Sequence, residues 1–65
     1  MIFGSIYNYK DKRPLLGANV FVAPSAVIIG DVRIAKECSV WFQAVIRGDV
    51  NKIRIGGGTN IQDSV

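Results

Sequence analysis

Residues 16–51 read LGANVF VAPSAV IIGDVR IAKECS VWFQAV IRGDVN when cut into sixes. Each block begins on an aliphatic residue: Leu16, Val22, Ile28, Ile34, Val40 and Ile46. The fifth place of each block is small or β-branched: Val20, Ala26, Val32, Cys38, Ala44 and Val50. A period of six matches neither the 3.6 of a helix nor a free alternation of two, yet it holds three strand pleats, so each block reads as a short strand plus a corner. Val and Ile favour strand, and Gly17, Pro24, Gly30 and Gly48 leave no uninterrupted amphipathic stretch for a helix. A small sandwich or meander would turn every 8 to 12 residues, which this spacing does not do. The phase slips by three residues at Lys52, Ile53 and Arg54, then resumes at Ile55 and Ile61, with Thr59 and Val65 in the small register.

A second repeat says how the blocks stack. Gly30-Asp31-Val32 returns as Gly48-Asp49-Val50, eighteen residues on, which is three sixes. Three short strands per coil would set Ile28 beside Ile46 and Asp31 beside Asp49 on neighbouring coils, joined by parallel main-chain hydrogen bonds around a narrow apolar lumen. Like charges at strand spacing repel, so the aspartates require counter-charges. Arg33 and Arg47, each two residues from one aspartate and on the same strand face, are the expected partners.

Composition limits what such a chain can do. It has 65 residues, 49% hydrophobic and 20% charged, enough apolar material to fold rather than stay disordered. A chain this short buries only about 60% of its unfolded surface, so it normally needs a staple or a partner. One cysteine and no histidine exclude an internal disulfide, an ordinary His/Cys zinc site and histidine-dependent catalysis within the chain. Association is the remaining route to stability. The net charge of +3 is dispersed apart from Lys10, Lys12, Arg13 and Lys52, Arg54. Even with Tyr7 and Tyr9 beside the first cluster, that is too little for a nucleic-acid face. The uncharged run 14–30 is interrupted by Gly17, Asn19, Pro24 and Ser25, so neither a membrane span nor a signal sequence is expected, and the default is a cytoplasmic or organelle-matrix protein with a reduced thiol.

The hexapeptides, together with Ile28-Ile29-Gly30-Asp31-Val32, Val40-Trp41-Phe42, Val45-Ile46-Arg47-Gly48-Asp49 and Thr59-Asn60-Ile61-Gln62-Asp63, closely resemble the N-terminal part of γ-class carbonic anhydrase-like proteins. Hexapeptides alone also fit acyltransferases and sugar-nucleotide enzymes; the Arg47-Gly48-Asp49 segment followed by Asn60 to Asp63 narrows the family. The resemblance implies an all-β, left-handed parallel β-helix, with two full coils plus a partial third. On that reading 1–15 is a lead-in strand and 16–65 the coils of a single domain. It further implies a homotrimer in which three histidines at each subunit interface hold zinc or iron, activating water for attack on carbon dioxide to give bicarbonate. None of those histidines is in this chain, so the chain as given is expected to be inactive. A non-catalytic oligomeric scaffold and a hexapeptide acyltransferase fragment remain as alternatives.

By the same resemblance Arg47 and Asp49 form an interfacial pair bordering the metal pocket; read from the strand alone, they are a solvated pair that screens the aspartate stack. Gln62 matches a glutamine that hydrogen-bonds metal-bound water or bicarbonate, or is simply an outward polar group. Asn60 faces substrate or makes a ladder or turn contact. Val50 and Asn51 stand where some active members carry acidic proton-transfer residues. Asp63 and Glu37 read as surface groups, Trp41 and Phe42 as outward aromatics suited to a subunit contact, and Cys38 as inert inward packing.

Overall fold

The computed structural model describes residues 2–62, and of Val50 only the backbone. Asp63 and Val65 lie outside the described residues. All regular structure among the described residues is strand: β1 (Ser5–Tyr7), β2 (Leu15–Leu16), β3 (Phe21–Val22), β4 (Val27–Ile34), β5 (Ser39–Val40), β6 (Val45–Ile55) and β7 (Asn60–Ile61). They form two sheets, one in which β4 pairs with β1, β2 and β6, the other running β3-β5-β7. Every strand pair is parallel.

The register reproduces the eighteen-residue repeat. Leu16 lies beside Ile34, Val22 beside Val40, Ile28 beside Ile46 and Gly30 beside Gly48. Both sequence registers point inward: Val22, Ile28, Ile34, Val40 and Ile46 share one core with Val20, Ala26, Val32, Cys38 and Ala44. Alternation along β4 gives this directly, with Ile28, Gly30, Val32 and Ile34 buried and Arg33 exposed. Cys38 is buried, and its thiol donates to the Gly56 carbonyl at 3.1 Å, the packing role its register predicts. Corners keep the hydrogen-bond ladder going: Glu37 N–H donates to Ala18 O at 2.9 Å and Gly58 N–H to Lys36 O at 3.2 Å.

Two departures from the repeat matter. The segment before residue 16 also stacks: Ile2 bridges to Val22, and Ser5, Ile6 and Tyr7 pair with Val27, Ile28 and Ile29. The offset in β1 is twenty-two residues, against eighteen for Leu16 and Ile34, so four extra residues are spent between β1 and β2, where Tyr9 and Lys12 close an antiparallel bridge. In β6 the offset moves from eighteen at Gly30 and Gly48 to twenty-one at Val32 and Ile53. The slip expected at 52–54 therefore falls earlier, between Gly48 and Ile53. Ile53 sits level with Val32 and packs against the core.

Candidate functional site

β6 carries the charged residues of interest, and its bulge decides their pairing. Arg47 and Asp49 are two apart on the strand and form an ion pair, with the arginine side chain 63% exposed and the aspartate 18%. Between them Gly48 lies flat on the neighbouring strand: a methyl there would sit 2.5 Å from the Asp31 carbonyl oxygen. Asp31 does not stack on Asp49, because the register breaks at that point. Its counter-ion is Arg54, not Arg33: Arg54 Nη2 lies 3.1 Å from Asp31 Oδ1 and Nη1 donates to the Asp31 carbonyl at 3.2 Å. The inserted residues bring Arg54 level with Arg33, and from there its guanidinium reaches Asp31 across the strand. So each aspartate of the repeated Gly-Asp-Val has its own arginine.

Asn60 and Gln62 belong to the other sheet, at β7 and just beyond it. Asn60 Oδ1 accepts a hydrogen bond from the Ser39 hydroxyl, which in turn accepts from Trp41 Nε1 at 3.0 Å. This is the side-chain ladder contact, made to a serine on the neighbouring coil. Gln62 is exposed. The structure thus joins Arg47 to Asp49 and Asn60 to Ser39, and leaves the two pairs on different sheets. Around Trp41 the rings of Phe3, Phe21 and Phe42 form an outward series, with centroids 6.2 Å (Phe3 to Phe21), 5.0 Å (Phe21 to Trp41) and 6.4 Å (Trp41 to Phe42) apart.

A cleft of about 220 Å³ opens where the two departures from the repeat meet, lined by Tyr9, Lys10, Asp11, Lys12, Asp31, Gly48, Asp49, Asn51 and Lys52. In sequence the lysines form two separate clusters. The slip at 52–54 signals one of the two departures, and the other, ahead of residue 16, lies off the count of sixes and leaves no signal.

The metal implied by the family resemblance does not fit this chain's own residues. The sequence has no histidine, its one cysteine is committed to the core, and among the described residues no three His, Cys, Asp or Glu side chains converge. Among the described residues no helix is long and apolar enough to cross a membrane.

Comparison with known proteins agrees with the hexapeptide repeat. The model of the bacterial transferase hexapeptide family (six repeats) matches residues 13–48. The chain is 57% identical over 60 residues to the mitochondrial γ carbonic anhydrase 2 of Arabidopsis thaliana, covering 92% of this chain and 22% of that protein. It is 51% identical over 59 residues to a carbonic anhydrase of Geobacillus kaustophilus, covering 91% of this chain and 32% of that one. The crystal structure of a Bacillus cereus protein described as a proposed acetyltransferase superposes with a TM-score of 0.89 at 45% identity, over 92% of this chain and 35% of its own. The chain therefore spans between about a fifth and a third of the length of these relatives.

Proposed function

Because the chain belongs to the bacterial transferase hexapeptide family, we propose that it supplies the first coils of a γ-carbonic anhydrase-type protein whose whole form hydrates carbon dioxide reversibly. The observation that carries this reading is the exposed Arg47–Asp49 pair at the β6 bulge, in a chain 57% identical to a γ carbonic anhydrase over nearly its whole length. Register and period support a parallel β-helix with two full coils and part of a third from residue 16 on, and its left hand is what the family resemblance implies. The segment from Ile2 to Tyr7 stacks beneath them.

In this reading the whole protein is a homotrimer, working in the cytoplasm or an organelle matrix, and its zinc or iron is held by residues outside this chain. The chain's own contribution is electrostatic and positional. Arg47 presents a guanidinium that Asp49 holds in a fixed direction, suited to a partner subunit's carboxylate or to an oxyanion. Gln62 supplies an exposed amide able to bond a substrate oxygen. Asn60 is restrained by Ser39, leaving its amide N–H groups to face outward. The 65 residues alone carry out no hydration.

Native mass spectrometry with metal analysis, on the protein expressed from its full reading frame, tests this. A trimer that retains zinc or iron and hydrates carbon dioxide supports the reading. A metal-free assembly overturns it in favour of a structural module, and binding of an acyl donor such as acetyl coenzyme A overturns it in favour of acyl transfer.

A further inference from the structure

The two insertions are unrelated in sequence and lie on different coils, yet they flank one point. A methyl added at Gly30 on the middle coil would meet Gly48 O at 2.8 Å on one side and Tyr9 Cβ at 3.1 Å on the other. Short insertions at the surface of a repeat fold add little closure entropy, and those that gather on one face of a solenoid commonly mark its binding face.

Charge within that cleft is uneven once its ion pairs are accounted for. Asp31 is matched by Arg54 and Asp49 by Arg47. The remaining charged lining is Lys10, Lys12 and Lys52 against Asp11, three ammoniums to one carboxylate. The Lys10 ammonium is also steered by the Tyr9 ring, 5.6 Å from its centroid. Backbone is close on the floor, at Gly48, and Asn51 adds an amide donor at the rim. At about 220 Å³ the space suits a small tetrahedral oxyanion and not a drug-sized molecule.

We propose that the cleft between the Tyr9–Lys12 turn and the β6 bulge binds a phosphate-type dianion through Lys10, Lys12 and Lys52. Lysines bind such groups as point charges, so the attraction is strong at low salt and falls as ions screen it. The anion is either free inorganic phosphate or the phosphoryl end of a larger molecule, and the cleft's open side admits both.

The test follows the phosphorus resonance of inorganic phosphate, and separately of adenosine 3′,5′-bisphosphate, titrated with the protein expressed from its full reading frame. Expected is saturable broadening at low salt that weakens about tenfold in the Lys10→Gln, Lys12→Gln, Lys52→Gln triple variant and persists in Lys36→Gln, a lysine on a different corner. Equal affinity for both probes assigns the site to the free anion; tighter binding of the bisphosphate assigns it to a phosphoryl group of a larger ligand. Broadening that is absent for both probes, or unchanged in the triple variant, overturns the proposal. Circular dichroism and melting of each variant keep loss of binding separate from loss of fold, and metal content is read independently, so failure here leaves the carbonic anhydrase reading standing.

Discussion

The strand pair β4 and β6 contains both halves of the lesson. From Val27 to Gly30 it keeps an offset of eighteen, buries its aliphatic row completely at Ile28, and presents no unusual chemistry. From Val32 to Ile34 the offset is twenty-one, the row is only half-buried at Ile53 and Ile55, and beside this change lie both aspartate–arginine pairs and the lysine-lined cleft. The repeating part is fixed by packing; the interrupted part is where charged side chains are gathered. Stability should therefore concentrate in the first region and binding in the second.

The sharpest form of that comparison is a pair of truncations. Ile28→Ala removes a fully buried side chain in the regular region and should cost about 4 kcal/mol, whereas Ile53→Ala, beyond the bulge, should cost about half as much. Equal losses in denaturant melts would show that the bulged segment is as tightly packed as the rest. Gly48→Ala probes the boundary itself. Its backbone does not need a glycine conformation, but the added methyl would lie 2.5 to 2.9 Å from three backbone atoms of Asp31, which cannot move aside as a flexible side chain would. A loss of about 3 kcal/mol is expected, and a change below about 1 kcal/mol would mean that the two strands separate easily at the bulge.

Deleting Val50, Asn51 and Lys52 should convert the interrupted region into a regular one. Gly30 already faces Gly48 and Val32 already faces Ile53, so removal leaves Asp49 opposite Asp31 at a constant offset of eighteen. Shortening a loop by three residues changes closure entropy little, and like charges brought side by side cost up to about 1 kcal/mol, so stability should shift by no more than about 1 kcal/mol. The phosphate response should vanish with the cleft. A deletion variant that fails to fold would show instead that the bulge is structural.

How much of this was legible follows from the same division. Interior rows could be read because an aliphatic at every sixth place and a small residue four later have few ways to be buried together, and Cys38 fell into line with Val20 and Val32. The pairing of Asp31 could not, because it depends on where a three-residue slip is absorbed: Arg33 shares its strand face and is the expected partner, whereas Arg54, twenty-three residues on, comes within reach only through the slip. The first strand escaped the pattern since Ile2 and Ile6 stand twenty and twenty-two residues from their partners, off the count of sixes. Arg47 and Asp49 were legible as a pair because two residues apart on a strand always share a face. Asn60 admits two readings in sequence because the residue that holds it, Ser39, comes from another coil.

One corner lies away from the bulge and the cleft and still departs from what packing would choose. Asn19, Glu37 and Gly58 occupy the same corner on successive coils, at φ of 57°, 61° and 73°, the left-handed region. Glycine and asparagine enter that region at small cost, and glutamate, with a Cβ crowding the carbonyl and no short side chain to bond locally, does not. Glu37 is exposed, and its backbone N–H is already used by Ala18 O, so the conformation is imposed by the ladder and not by any contact of the carboxylate. Glu37→Asn should then stabilise the fold by about 0.5 kcal/mol, read as a small upward shift in the denaturation midpoint with an unchanged slope. Glu37→Ala, which retains the Cβ, should give no such gain. If both substitutions behaved alike, the strain would lie in the side chain's surroundings and not in the corner's backbone.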